Sequence, residues 1–169
     1  QAPWVYLISD GLLKELSPLY PNIDFRVLTH ATIIDEIRTN HDKSVKQKIQ
    51  VTFLGHINNS NIDAMSFLLN TLERREDVVI NLITATSKHV LKKEKLLKNN
   101  VIIQSNFSDV EVIQKLRISN LLLLPHGLTG ALCDAEYRSI FPTKTIQYLL
   151  SGSPILALLP HNCYLQDFL

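Results

Sequence analysis

The amino-acid sequence predicts an α/β fold with a Rossmann-like, doubly wound parallel sheet. Apolar strand-like runs alternate with helical segments over most of its 169 residues, which is the pattern of a parallel sheet covered by helices. The runs 120–126 and 155–159 are apolar on both faces, as expected of strands buried from both sides. Within 141–160, a proline-led helix ends at Gly152 and leads into the second of these runs. Such loop–helix–strand units form the ligand crevice of α/β sheets.

The first part of the chain predicts a short, separate piece of structure. Residues 4–9 predict a strand, and Asp10 is placed to cap a helix with apolar residues at helical spacing. A second short strand is predicted within 21–30, whereas 40–48 is polar and predicts a linker or solvated loop. The composition changes near residue 49, where we therefore expect a domain boundary.

Five strands with helices between them are predicted from there to the end of the chain. The strands are 49–57, 78–84, 101–107, 120–126 and 155–159. The helices are 62–74, 87–98, one from the capping box of Ser108 and Glu111 to about 118, and one from Pro142 to Gly152. The segment 127–140 predicts a flexible loop. Right-handed crossovers would bring the loops that follow the strands to one edge of the sheet.

The composition is that of a globular protein with no marked attraction to nucleic acid. Hydrophobic residues make up 46% and charged residues 20%, and the net charge is only +1. The sequence contains no signal-peptide pattern and no run of 18 apolar residues. Cys133 and Cys163 leave a disulfide open, but a reduced, cytoplasmic protein is the simpler interpretation. We expect no metal site, because histidines and cysteines do not cluster with ligand spacing.

The segment 141–160 resembles the donor-site segment of retaining glycosyltransferases with the GT-B fold (glycosyltransferase family 4, group 1). In that family a pattern of the kind P-x-K-x-x-E-Y-L-x-x-G-x-P-V closes the nucleotide-sugar pocket. The residues that match it are Pro142, Lys144, Tyr148, Leu149, Gly152 and Pro154. Gln147 stands where the family usually has glutamate. The resemblance covers most of the chain and is strongest over 101–160.

The resemblance implies two domains, each of them incomplete. Residues 1–48 would be the end of an N-terminal acceptor domain together with its linker. Residues 49–169 would be the nucleotide-sugar-binding donor domain, truncated at its C-terminus. The chain starts at Gln1 and stops without a polar tail, and we therefore expect it to be a fragment of a longer protein.

Two residues are implied to be catalytic. Lys144 would hold the diphosphate at the start of the helix and stabilise the charge that develops on the leaving group. Counting back from Gln147, the other motif glutamate of the family falls on Ser139, so the nearby Glu136 is the predicted carboxylate at the transferred sugar. Phe107 would stack on the nucleobase. The donor contacts predicted by the resemblance are His56, Asn106, Phe107, His126, Thr143, Thr145 and Gln147.

The implied activity is the transfer of a sugar from a nucleoside-diphosphate sugar to an unidentified acceptor, which could be a glycan, a lipid or a protein. The resemblance implies that configuration is retained and that the reaction needs no metal or other cofactor. The isolated fragment is expected to be inactive, because both domains must close over the substrates.

Two other functions are compatible with the sequence. The first is a glycosyltransferase-like protein without turnover that serves as a binding or scaffolding subunit, because the motif carboxylates and a basic pair after His56 are absent. The second is a non-catalytic α/β module of the receiver kind. That class needs acidic residues after its first strand, whereas asparagine and histidine follow the strand 49–57 here.

The run 88–98 is strongly basic, with five lysines and one glutamate. It predicts the charged outer face of a helix that covers the sheet. The alternative is weak contact with an anionic membrane surface, which would make the protein membrane-peripheral.

Overall fold

The computed structural model describes residues 4–29, 48–128 and 134–169 of the chain. Its strands are β1 (Val5–Leu7), β2 (Phe25–Val27), β3 (Ile49–Leu54), β4 (Val78–Ile83), β5 (Val101–Gln104), β6 (Leu121–Pro125) and β7 (Ile155–Leu158). Its helices are α1 (Asp10–Leu16), α2 (Ile62–Leu72), α3 (Lys88–Lys93), α4 (Asp109–Arg117), α5 (Asp134–Ser139), α6 (Lys144–Ser151) and α7 (Tyr164–Phe168). Strands β3 to β7 form one parallel sheet in the order β5-β4-β3-β6-β7, and β1 pairs in parallel with β2. The predicted α/β, Rossmann-like fold is thereby confirmed.

The large sheet separates two apolar cores. On one face α2 and α3 pack onto the sheet through Leu69 and Leu91. On the other face α4 and α6 pack through Leu116 and Tyr148. All four side chains are fully buried, and burying a leucine contributes about 1.5–3 kcal/mol. The two cores make the sheet doubly wound, as its apolar strands predict.

The order of the strands reverses between β3 and β6. Strands β4 and β5 lie on one side of β3, whereas β6 and β7 lie on the other. β3 and β6 pair only at Val51 with Leu121 and at Thr52 with Leu122, so a gap opens between them toward their carboxyl ends. Ligands of open α/β sheets bind outside such a point.

The hydroxyl of Tyr148 fills this gap. It donates to the carbonyl of Leu123 (3.0 Å) and accepts the N–H of Leu54 (2.8 Å). Where β3 and β6 separate, they no longer form hydrogen bonds with each other. The phenol hydroxyl takes their place, as the partner of one N–H on β3 and one C=O on β6. Burial raises the pKa of Tyr148, so the hydroxyl stays protonated at neutral pH.

Two predictions at helix ends are confirmed. The hydroxyl of Ser108 accepts the N–H of Glu111 (3.4 Å), and the carboxylate of Glu111 accepts the N–H of Ser108 (2.8 Å). These reciprocal bonds are the predicted capping box. Gly152 follows α6 with a φ of 69°, a left-handed conformation that favours glycine.

The predicted cap of α1 is wrong by one residue. Ser9, not Asp10, is the cap, and its hydroxyl accepts the N–H of Leu12 (3.2 Å). Ser9 has the extended backbone of a cap, whereas Asp10 is already helical. The acidic side chain of Asp10 instead lies in the first turn, where its negative charge interacts favourably with the helix dipole.

Two predictions for residues 49–169 are also wrong. The basic helix ends at Lys93 rather than at 98, because Lys95 adopts a φ of 56° and Leu96 turns into the core. The loop predicted at 127–140 contains α5, while 129–133 lie outside the described residues. Helix α7, for which the sequence analysis gave no prediction, follows β7.

The first segment of the chain packs against the last helices. A Cβ at Gly11 would lie 2.7 Å from the Cβ of Tyr164 in α7, so no larger residue fits there without a shift. Arg138 of α5 donates to Glu15 of α1, with 2.9 Å between Nε and Oε1. These contacts hold α1 against α5 and α7. The boundary near residue 49 stays a prediction, because 30–47 lie outside the described residues.

In the described part of the chain, no helix has the length and apolar character needed to span a membrane. Over the same residues, no three histidine, cysteine, aspartate or glutamate side chains come together as metal ligands. Cys163 is a buried free thiol, and Cys133 lies outside the described residues.

Replacing Tyr148 by phenylalanine tests the role of its hydroxyl. The variant leaves the N–H of Leu54 and the carbonyl of Leu123 without their partner, and we expect the free energy of unfolding to fall by about 1–3 kcal/mol. Urea unfolding of the variant and of the unmodified protein measures the difference. Tyr20→Phe is the matched control, since Tyr20 is 51% exposed and should change the stability by less than about 0.5 kcal/mol. Equal effects of the two substitutions would contradict the bridging role.

Candidate functional site

Several of the predicted site residues meet at the carboxyl edge of the sheet. Gly55 and His56 follow β3, Asn106 and Phe107 follow β5, and His126 follows β6. Helix α6 begins at the same edge, beside the loop that follows β3. The edge therefore combines strand ends with a helix start at the point where the strand order reverses.

Lys144 lies in this opening, with its ammonium group over an aromatic ring. Its Nζ is 4.1 Å from the centroid of the Phe53 ring, an attractive cation–π distance. Among the residues that the structure describes, no carboxylate forms an ion pair with Lys144. Burial lowers the pKa of Lys144 to about 7, because the charged ammonium is poorly solvated there. The site thus holds a cation that an anion from outside would stabilise.

Gly55 lies next to the lysine. Its φ of 123° is in the range that favours glycine. A Cβ at this position would lie 3.6 Å from Cδ and 3.7 Å from Nζ of Lys144, which are ordinary van der Waals distances. A larger residue at Gly55 is therefore disfavoured by the backbone conformation of the loop.

The spacing of α6 explains why Lys144 reaches the opening. Lys144 and Tyr148 are four residues apart in the helix, so both project from the same face. Tyr148 anchors that face in the gap between β3 and β6. The bridge between the strands therefore also fixes the position of Lys144, one turn earlier.

His126 is a buried link between loops. It is 2% exposed, and its Nε2 lies 3.0 Å from the carbonyl oxygen of Tyr137 in α5. The next residue, Gly127, donates its N–H to the carbonyl of Ser60 (2.6 Å) in the loop before α2. The ring of His126 is enclosed in this conformation. Its contact with the donor stays a prediction.

The environment of His126 keeps its imidazole neutral. Burial lowers the pKa of His126, and the charge of Lys144 adds to this effect. The nearby carbonyls of Tyr137 and Ser60 and the carboxylate of Asp63 oppose it without reversing it. A neutral ring beside Lys144 adds no positive charge to the site.

The predicted contacts after β3 and β5 lie at the surface. His56 is exposed, and its carbonyl accepts the side-chain N–H of Asn61 (3.0 Å). Asn106 is exposed and has a φ of 64°, a conformation that asparagine tolerates better than most residues. Phe107 is partly buried, and Nζ of Lys115 lies 4.4 Å from its ring centroid. Lys115 thus covers one face of the ring that we predict to stack on a nucleobase.

The three other predicted contacts belong to the start of α6. Thr143 is exposed and its side chain forms no capping bond. Thr145 is fully buried and donates its N–H to the carbonyl of Pro142 (2.9 Å). The hydroxyl of Thr145 is buried and has no hydrogen-bond partner among the described residues. Its predicted contact with the diphosphate stays a prediction. Gln147 is partly buried, with no side-chain hydrogen bond to a described residue.

Glu136 lies apart from Lys144. It is exposed on α5, and its side chain makes no ion pair or hydrogen bond within the described residues. Its neighbours in α5 are the ones that connect to the rest of the molecule, through the carbonyl of Tyr137 to His126 and through Arg138 to Glu15. The structure thus leaves Glu136 at the surface, whereas His126 is close enough to Lys144 for the lysine charge to lower its pKa.

The sequence analysis assigned no role to Phe53 or Tyr137. Phe53 was predicted only as a strand residue, and alternation within β3 indicates no more than its burial. Tyr137 falls in the segment predicted as a loop. Tyr148 matched the family pattern, but no signal in the sequence indicated that its hydroxyl joins two strands.

Comparison with known proteins supports the fold. No protein-family model and no curated protein matches the sequence. Among solved structures, sucrose-phosphate synthase from Thermosynechococcus elongatus is similar with a TM-score of 0.63 and 13% identity, over 93% of this chain and 41% of that one. A TarM mutant of S. aureus, solved with UDP, gives a TM-score of 0.62 and 11% identity, over 92% and 30%. HepE of Anabaena, solved with UDP-glucose, gives 0.61 and 14%, over 99% and 47%.

These likenesses confirm that the fold is that of glycosyltransferases of the GT-B type, as the resemblance at 141–160 predicts. This chain spans less than half the length of each of the three proteins, 41%, 30% and 47%.

The burial of Lys144 predicts a pH-dependent stability. In the unfolded chain the lysine binds its proton up to about pH 10.5, whereas in the folded chain the pKa is about 7. The unfolded state therefore binds more protons between these values, and the stability rises with pH across that window. We expect the free energy of unfolding to rise from about pH 7 to about pH 9.5, relative to that of Lys144→Met. Urea unfolding at a series of pH values measures this difference.

Lys92→Met is the matched control, because Lys92 is exposed. Its stability relative to the unmodified protein should not vary with pH over the same window. A flat difference for Lys144→Met as well would show that the ammonium group is solvated in the folded protein, contrary to the geometry.

Proposed function

We propose that this chain is the donor-binding part of a glycosyltransferase that transfers a sugar from a nucleoside-diphosphate sugar, with retention of configuration. Lys144 and the start of α6 hold the diphosphate. The observation that carries the proposal is the position of Lys144, which lies partly desolvated, with no carboxylate partner among the described residues, at the point where the strand order reverses. The activity of the whole protein is part of the proposal, because the chain spans less than half of the similar structures.

A diphosphate fits the electrostatics of this opening. A buried cation is costly unless an anion accompanies it. The diphosphate would supply that charge, and the positive end of the dipole of α6 adds to the attraction. UDP in the TarM structure and UDP-glucose in the HepE structure support a nucleotide as the source of the phosphate.

The proposed chemistry is electrostatic. When the bond between the sugar carbon and the diphosphate oxygen breaks, the electron pair stays on the diphosphate and its negative charge grows. The ammonium of Lys144 stabilises this charge more in the transition state than in the ground state, which is the condition for catalysis. A group of the acceptor then bonds to the sugar carbon and loses its proton. As the resemblance implies, no bound metal takes part.

A binding protein without turnover is the second candidate. The exposed position of Glu136 and the neutral Gln147 leave no carboxylate in contact with Lys144 among the described residues. An assay of the full-length protein with and without Gln147→Glu distinguishes the candidates. Transfer by the unmodified protein supports the enzyme, and transfer gained only with the substitution supports a site that has lost turnover.

Titration of the chain with UDP, GDP and ADP tests the diphosphate site. We expect saturable binding of one nucleotide, which Lys144→Ala weakens by about tenfold to a hundredfold, because a charged hydrogen bond contributes about 1.5–3 kcal/mol. Calorimetry measures the affinity, and circular dichroism shows that both proteins are folded. Lys14→Ala, at an exposed lysine of α1, should leave the affinity unchanged. Absence of binding in the folded chain, or equal binding after Lys144→Ala, would contradict the proposal.

Nucleotide binding should also take up a proton. At pH 8 most Lys144 side chains are neutral, because burial lowers the pKa to about 7, and a bound diphosphate favours the ammonium form. The nucleotide itself is fully ionised at that pH, since its last phosphate pKa is about 6. We expect a heat of UDP binding that depends on the ionisation enthalpy of the buffer, and an affinity that falls as the pH rises above 7. Lys144→Ala should show neither effect.

A further inference from the structure

The layer of helices that contains α2 and α3 has a basic outer surface. Lys88, Lys92, Lys93 and Lys95 are all exposed. None of the four forms an ion pair with a described residue. Glu94 is the single acidic residue of the run 88–98, so the run has an excess of positive charge, although the net charge of the whole chain is only +1.

Large apolar side chains are exposed on the same layer. Phe67 of α2 is 58% exposed, Leu97 is 42% exposed and Val90 of α3 is 36% exposed. Arg74, which follows the end of α2, is also exposed and forms no ion pair with a described residue. Exposed apolar groups beside cations are typical of surfaces that enter the headgroup region of a membrane.

The end of α2 and the segment after α3 are neighbours. Nζ of Lys98 lies 3.2 Å from Oε2 of Glu73, and the side chain of Asn100 donates to the carbonyl of Leu72 (2.9 Å). The end of α2 and the segment after α3 are thus joined. We call the surface formed by Lys88, Lys92, Lys93, Lys95, Arg74, Phe67, Val90 and Leu97 the basic face.

We propose that the basic face docks on a membrane that contains anionic lipids. The charge selects the partner, because lysines near an anionic bilayer attract its headgroups and release when salt screens them. The apolar side chains select a lipid surface over a soluble polyanion, since a bilayer can bury them and a nucleic-acid backbone cannot. The mode of attachment is peripheral, through side chains that are already exposed, and needs no change in the fold.

Sedimentation of the 169-residue chain with lipid vesicles tests the docking surface. We expect binding to vesicles of equal parts phosphatidylcholine and phosphatidylglycerol, no binding to phosphatidylcholine alone, and loss of binding at high salt. Each lysine near the surface contributes about fivefold in affinity. Lys92→Gln with Lys93→Gln should therefore weaken binding by about twentyfivefold, since the two contributions multiply.

Lys14→Glu is the matched control, because it changes the net charge by the same amount at an exposed site in α1. It should retain nearly full binding, whereas an equal loss would show that net charge alone is responsible and would overturn the proposal. Phe67→Ser keeps the charge and should weaken binding severalfold if the ring enters the bilayer.

Two further outcomes would overturn the proposal. One is the absence of vesicle binding by protein that circular dichroism shows to be folded. The other is displacement of the protein from vesicles by duplex DNA at equal phosphate concentration, which would identify the basic face as a nucleic-acid surface. Retention of the vesicle complex in the presence of the DNA supports the membrane.

Discussion

The hydroxyl of Tyr148 is the interaction on which the geometry of the opening depends. Two parallel strands can separate only if other groups satisfy the backbone N–H and C=O that they stop sharing. Here one phenol accepts from Leu54 on β3 and donates to Leu123 on β6. Because that phenol belongs to α6, the gap, the helix and the start of the helix form one unit. A cleft at the reversal of strand order is common to open α/β sheets, and Tyr148 shows how its walls are held apart in this chain.

The electrostatic character of the opening follows from the lack of an acidic partner for Lys144 among the described residues. Some basic residues of the described structure pair with acidic residues close by in sequence or space, as Arg75 does with Asp77 (2.7 Å). Such exposed pairs contribute little to stability. Lys144 instead has an aromatic ring, a neutral histidine and a glycine around it. An aromatic face attracts a cation but cannot replace water fully, so the lysine is held in place and remains short of charge compensation. The incomplete solvation of Lys144 therefore destabilises the folded chain at a position where a bound anion could compensate the charge.

The sequence predicted the large sheet and the order of its elements, because apolar runs and helix-end residues act locally. The capping box of Ser108 and the left-handed Gly152 can be recognised from about four neighbouring residues, and both are confirmed. Helix α5 was predicted as a loop because its six residues carry little apolar periodicity. At the site, the pattern around Lys144 located the opening, yet the burial of Thr145 and the surface position of Glu136 depend on how α5 and α6 pack. Packing over long sequence distances leaves no local signal.

The contact of α1 with the last helices has a consequence for the order of folding. Gly11 touches Tyr164, and Glu15 pairs with Arg138 across 123 residues. Synthesis from the N-terminus makes α1 before α5 and α7, the two helices that receive it. Contacts at such separation form slowly, because the intervening loop must close before they stabilise anything. The side of α1 that packs against α5 and α7 therefore stays uncovered until the distant part of the chain has been made.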